Sequence, residues 1–301
     1  MTDSTHLFQF DPWSDWVADK RRVLLRLDAR AGSAPDLEVA RMWLGLQQRL
    51  IEDRPRRVFK PENFACSSDE EAPLLDIERR AQQGRELNSF LSKQTRNPFE
   101  RDALLADWGI HHFHLNIALD ANEFRRRSGR LLFARVRPDA IYFIAVGDHT
   151  SWSDVDLIEI LHRQWPTSIE MYRLPGLPAP RSTWTPEERI GLRRCGVQTI
   201  VSTTDGTSYA PIGGGYASDG SSIAVSDHLS QIREYMFNLR EWVANAEDEI
   251  RQKCWAQGVN PDDLSLTLHT ENELPYAVDD RLDVCFRLPE LQQRRSLRDG
   301  E

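Results

Sequence analysis

The stretch 107–120, DWGIHHFHLNIALD, decides how this chain is read. Within it, His112, His114 and Asn116 alternate with Phe113, Leu115 and Ile117. A period of two is the mark of a strand, and polar residues at alternate positions predict one face in the core and one in solvent. Five of the chain's eight histidines fall between 111 and 162, so this strand carries an unusual density of imidazole.

Working outward, RLLFARV (130–136) and AIYFIAV (140–146) read as two more strands, joined by a turn at Pro138-Asp139. Both are apolar almost throughout, which predicts central positions in a sheet. SDVDLIEILHRQW (153–165) then reads as a helix, with Ser153 as N-cap and Pro166 as its stop. Upstream, Leu37, Ala40, Trp43, Leu44, Leu46 and Leu50 form a helical stripe. EAPLLDIERRAQQG predicts a second helix from Pro73 to Gly84.

Downstream, RLPGLPAPRSTWTPEE (173–188) is rich in proline and reads as a linker. Thr185, Pro186 and Glu188 form a capping box that opens a helix closed by Gly196. VQTIVSTTDGTSYAPI predicts a hairpin around Asp205-Gly206. A glycine-rich loop follows at 213–215, then IAVSD as a short strand, a helix of about thirty residues from His228, and two strands, LSLTLHT and RLDVCFRL. The expected fold class is α+β. It has a mostly helical region over 1–104, a small antiparallel sheet core over 105–172, a linker over 173–188, and a separate α+β domain over 189–301.

Composition narrows the function. A net charge of −9 argues against a surface coated for non-specific DNA binding, though it permits a local basic patch. Cys66, Cys195, Cys254 and Cys285 are dispersed and form no C-x-x-C pair, so neither a zinc ribbon nor a disulfide scaffold is expected. The first residues lack the basic and apolar regions of a signal peptide, and no apolar run is long enough to span a membrane. The expectation is a cytoplasmic protein without membrane contact.

The histidine strand fits acid–base cleavage of RNA. The 2′-hydroxyl is the nucleophile. A base must take its proton, an acid must protonate the leaving 5′-oxygen, and a cation must stabilise the phosphorane. Histidine suits the first two roles and arginine the third. His112 and His114 share a strand face, His149 follows the third strand, and Arg125, Arg126, Arg127 and Arg130 precede the second. Tyr142 and Trp152 are candidates for stacking on bases.

With those residues in place, 105–165 resembles the core of RelE/ParE-type toxins, which share a fold with barnase-like and colicin-like ribonucleases. The shared features are a helical lead, a strand with alternating polar residues, a Gly-Arg turn into LLFARV, a tight turn, and IYFIAVGDH before a loop. The resemblance implies a metal-independent, cofactor-free endoribonuclease of toxin or phage-defence type, acting on RNA and held in check by an antitoxin-like protein. It places the alternating basic pair on His112 and His114, the phosphate-binding arginine on Arg130, and the basic residue after the third strand on His149. Histidines stand where lysine and arginine are common in the family, which favours proton transfer over charge stabilisation alone.

Two other readings stay open. A non-catalytic interaction module would keep the fold and bind protein through the same surface. A zinc-dependent hydrolase would use the H-x-H strand with His149 or Asp148 as a third ligand. His162 is expected to be structural. Gly213–Gly215 is open to anion binding through backbone N–H groups or to a plain strand connection, and it matches no nucleotide-binding motif.

Overall fold

The computed structural model describes residues 8–116, 118, 124, 129–149, 151, 154–177, 184–217, 220–271 and 274–290. The chain is α+β and divides into two compact units, Leu44–Ser226 and the pair of segments Met1–Trp43 with Asp227–Glu301. In order, the first half carries β1 (Gln9–Phe10), α1 (Pro12–Leu25), α2 (Asp36–Arg49), β2 (Arg57–Phe59), α3 (Ser68–Gln83), α4 (Ala103–Trp108), β3 (His111–His114), β4 (Leu131–Val136) and β5 (Ala140–Gly147). The second carries α5 (Asp156–Gln164), α6 (Pro186–Arg194), β6 (Val201–Ser202), β7 (Ser208–Tyr209), α7 (Ile223–Asn245), α8 (Glu247–Ala256), β8 (Ser265–Glu271), β9 (Leu274–Asp279) and β10 (Val284–Arg287).

The unit 44–226 is built on a sheet of order β2-β5-β4-β3. The strands β3, β4 and β5 run antiparallel in sequence order, and β2 adds to β5 in parallel. The sheet is therefore mixed, because a strand from the region expected to be mostly helical joins its edge. The apolar β4 and β5 take the central positions expected of them. One face packs Phe113, Leu132, Ala134 and Phe143 against Leu74, Ile77 and Ala81 of α3. The other packs Leu131, Phe133 and Ile144 against Leu157, Ile158 and Leu161 of α5, with Val201, Tyr209 and Ile212.

This two-sided cover corrects the reading of β3. All four of its residues are buried, so it has no solvent face. The alternation records two different cores, not a core and water. In α3 the start also differs. The helix begins at Ser68 with Ser67 as N-cap, and the Glu70 carboxylate accepts the Ser67 N–H at 2.7 Å. That acidic first turn outranks Pro73, which lies inside the helix. Gly84 ends it in the left-handed conformation, as expected.

The proline-rich 173–188 does not separate domains. Its described residues, α6 and the hairpin β6–β7 all belong to the unit 44–226. Leu174 N donates to Ser208 O at 2.8 Å and Ala210 N to Tyr172 O at 2.9 Å, lacing the two sides of the supposed linker together. Neither 1–104 nor 189–301 is a unit by itself. In the other unit, β1 pairs in parallel with β8 in a sheet of order β1-β8-β9-β10. Phe10, Leu266, Ala277 and Val284 share a core with Met236, Leu239, Val243, Ile250 and Cys254 of α7 and α8. IAVSD is the first turn of α7 and not a strand, and the long helix expected from His228 breaks at Ala246 into α7 and α8.

Candidate active site

The helix α4 sets the histidine strand in place. Asp102 caps it, accepting the Leu105 N–H at 2.9 Å, and Gly109 ends it at φ 64°. A side chain at Gly109 would be strained by that φ and would collide with Arg135 Nη1. The chain then turns directly into β3.

The glycine loop secures the same helix end. Gly213 N donates to Asp107 O at 2.9 Å, and Gly215 N to Ala106 O at 2.8 Å. These carbonyls are among those left over at a helix C-terminus. A Cβ at Gly213 would lie 2.1 Å from Leu105 O, so only glycine allows the approach. Gly214 N donates to Pro211 O at 2.9 Å. With all three N–H groups engaged by carbonyls, the loop is a clamp on α4 rather than an anion cradle.

Register brings the histidines together. His114 lies opposite Leu131, which lies opposite Gly147, two residues before His149. His112 lies opposite Phe133, on the same face. The rings of His112 and His114 are 6.2 Å apart between centroids, and those of His114 and His149 also 6.2 Å. The three run from buried to exposed: His112 and His114 are 8% and 3% accessible, while His149 is exposed. Burial holds the His112 imidazole below its usual pKa. Asp102 opposes that shift and His149 adds to it. Burial thus favours the neutral form of this ring. His111 points to the opposite face, with its ring 6.4 Å from that of Phe113.

Arg130 stands at the start of β4. Its carbonyl accepts the Leu115 N–H at 3.3 Å, and its Nε donates to Glu70 Oε1 at 2.6 Å. About half of the Arg130 side chain is exposed (51%), whereas Glu70 is buried. Burial is the largest influence on the Glu70 carboxyl and pushes it up. Hydrogen bonds from Ser67 and Arg130, with the Arg130 charge, outweigh it and hold the group below its usual value.

Tyr142 is not part of this cluster. It lies opposite Arg135, toward the far end of β5 from Gly147, where its ring stacks on Phe59 and meets Trp165. Arg125, Arg126, Arg127 and Trp152 lie outside the described residues. His162 has the structural role expected of it. Its Nδ1 is 2.9 Å from the Tyr209 hydroxyl and its Nε2 3.0 Å from Asp205 Oδ2, which fastens the β6–β7 hairpin to α5. Among the described residues, no group of three or more His, Cys, Asp or Glu is placed to hold a metal ion, so the H-x-H strand finds no third ligand there.

Sequence reading missed Asp102, Glu70 and the buried pair Asp107–Arg193. In that pair, Arg193 Nε donates to Asp107 Oδ2 at 2.7 Å, and the guanidinium lies 4.2 Å from the centroid of the Trp108 ring. The caps made by Asp102 and Glu70 are local signals, but Arg130 is remote in sequence from Glu70 and Arg193 from Asp107. Comparisons with protein-family models, with curated proteins and with solved structures returned no match for this chain.

Proposed function

We propose that the His112–His114–His149 cluster is the centre of a metal-independent endoribonuclease. The observation that carries the reading is the row of three rings at 6.2 Å intervals, two of them buried and the third exposed. At that spacing His114 and His149 are both within reach of a single phosphodiester. His114 accepts the 2′-hydroxyl proton as the 2′-oxygen attacks phosphorus. His149 gives a proton to the departing 5′-oxygen as the P–O5′ bond breaks. The products are a 2′,3′-cyclic phosphate and a 5′-hydroxyl, and the two histidines exchange protonation states. His112 stands behind His114, with its ring held below the usual imidazole pKa by burial. Arg130 does not join the three histidines: it alternates with Leu131 and turns to the α3 face of the sheet, where Glu70 holds it.

The toxin or phage-defence role, and an antitoxin-like partner, rest on the resemblance of 105–165 alone. The charge distribution is compatible with RNA as substrate: nearly all of the net negative charge lies in Met1–Trp43 and Asp227–Glu301, and the unit with the histidines is close to neutral.

The burial of His114 favours a second reading, an interaction module in which the histidines only fill space. Cleavage of a labelled RNA with EDTA present separates the two. Cleavage by the wild-type protein that falls by about a hundredfold or more in His114→Ala supports the enzyme. Absence of cleavage on free and ribosome-bound RNA alike sinks it in favour of the module.

A further inference from the structure

We propose that the aromatic ladder at the β2 end of the sheet, with the cleft beside it, is a stacking subsite for single-stranded RNA. The choice of RNA rests on the ribonuclease reading, but the subsite stands on its own residues. Phe59 of β2 lies opposite Tyr142 of β5, so both rings share one face of the sheet. Their centroids are 5.1 Å apart and their planes 15° from parallel. Trp165, just after α5, meets Tyr142 at 5.1 Å. All three side chains are partly exposed. The Arg57 guanidinium sits 5.7 Å from the centroid of the Phe59 ring, on a side chain that is 72% exposed.

Beside the ladder is an open cleft of about 640 Å³, lined by Pro55, Arg56, Arg57, Phe59, Gln82 and Asp139. Rings in a row with a guanidinium alongside match the chemistry of an unpaired strand, whose bases offer π faces and whose backbone offers phosphates. A duplex hides its base faces in its own stack, so it does not fit. Arg57 now donates to Asp139 Oδ2 at 2.8 Å, both groups being mostly exposed. A bound phosphate would take the place of Asp139. Tyr142 lies five residues before Gly147, roughly 17 Å along the strand, and His149 follows Gly147 by two residues, so an RNA of several nucleotides can reach both.

The test is fluorescence anisotropy with a labelled 2′-O-methyl RNA octamer, which lacks the 2′-hydroxyl nucleophile and stays intact. Phe59→Ala and Tyr142→Ala should each weaken binding by about tenfold, while Tyr142→Phe should retain it. Arg57→Gln should lower the slope of log affinity against log salt by about 0.7. No binding by the wild-type protein overturns the subsite. So does an affinity indifferent to both alanine substitutions, equal affinity for duplex RNA, or binding of extended peptides in place of the octamer. If the wild-type protein binds through the ladder but cleaves no RNA, the acid–base reading falls and the subsite stands. If it cleaves RNA and the ladder substitutions change neither KM nor octamer affinity, the subsite falls alone.

Discussion

Arg193→Met removes the cation from a buried pair and strands its partner. Asp107 is 1% accessible and Arg193 8%. Asp107 Oδ2 accepts from Arg193, and Oδ1 has no hydrogen-bond partner among the described residues. Among the described residues, Arg189, whose guanidinium is 5.8 Å from the Trp108 ring centroid, is the other cation that acts on Asp107. Methionine keeps apolar contact with Trp108 but leaves the carboxylate without its hydrogen-bonded cation. Breaking a buried pair in this way costs about 3–5 kcal/mol near neutral pH. The loss should depend on pH. Burial, the largest influence, raises the Asp107 carboxyl above its ordinary 3.8, and Arg193 pulls it down. Without Arg193 the folded value rises further.

A carboxyl whose folded pKa lies above the unfolded one binds its proton more tightly when folded. Its contribution is greatest at low pH and is lost as pH rises through the folded value. The gap between variant and wild type is therefore smallest below 3.8. It widens between the wild-type and variant folded values by up to about 1.4 kcal/mol per pH unit. Urea unfolding followed by far-UV circular dichroism at about pH 5 and about pH 8 measures it. The double substitution Asp107→Leu with Arg193→Met should recover more than half of the loss, since no charge is then left buried. A gap equal at both pH values, or below about 1 kcal/mol at the higher one, would refute the reasoning.

Other expectations follow from the same geometry. Glu70→Gln should destabilise the protein at neutral pH. Because the folded Glu70 pKa is depressed below 4.5, the wild-type advantage should be present above that value and disappear as pH falls through the folded one. Urea midpoints across that range would show it, and a pH-independent difference would count against it. Gly213→Ala forces a methyl group onto Leu105 O and Ala106 O, and should cost about 3 kcal/mol in the same assay. A loss below about 0.5 kcal/mol would mean that the loop is not held against α4. Thr185→Ala removes the side chain that accepts the Glu188 N–H at 3.2 Å at the start of α6, and should cost about 1 kcal/mol. Thermal melting is sufficient to detect that loss.

Local signals in this chain were legible because their physics is local. The capping box of Thr185 and Glu188, the left-handed stops at Gly84 and Gly196, and the hairpin at Asp205-Gly206 depend on neighbours a few residues away. The strands β4 and β5 announced central positions because an apolar run has no solvent face to show. The density of histidine in β3 and its phase are also readable in the sequence, which places His112 and His114 on one side of the strand.

What lay beyond the sequence depends on segments distant in the chain. Nothing in Gln9–Phe10 signals a parallel partner in β8, and that pairing is what divides the protein into 44–226 and its flanks. Nothing in the prolines of 173–188 shows that Leu174 and Tyr172 bond to the hairpin beyond them. The burial of β3 on both faces was likewise undecidable locally, because polar residues facing a second core alternate just as polar residues facing water do. Residue type and spacing determined which titratable side chains the strand carries and on which side. Tertiary structure alone decided that His149 joins His114, that Tyr142 does not, and that Arg130 is held by Glu70. Those relations are set by strand register and helix packing, which bring together residues with no sequence-local interaction.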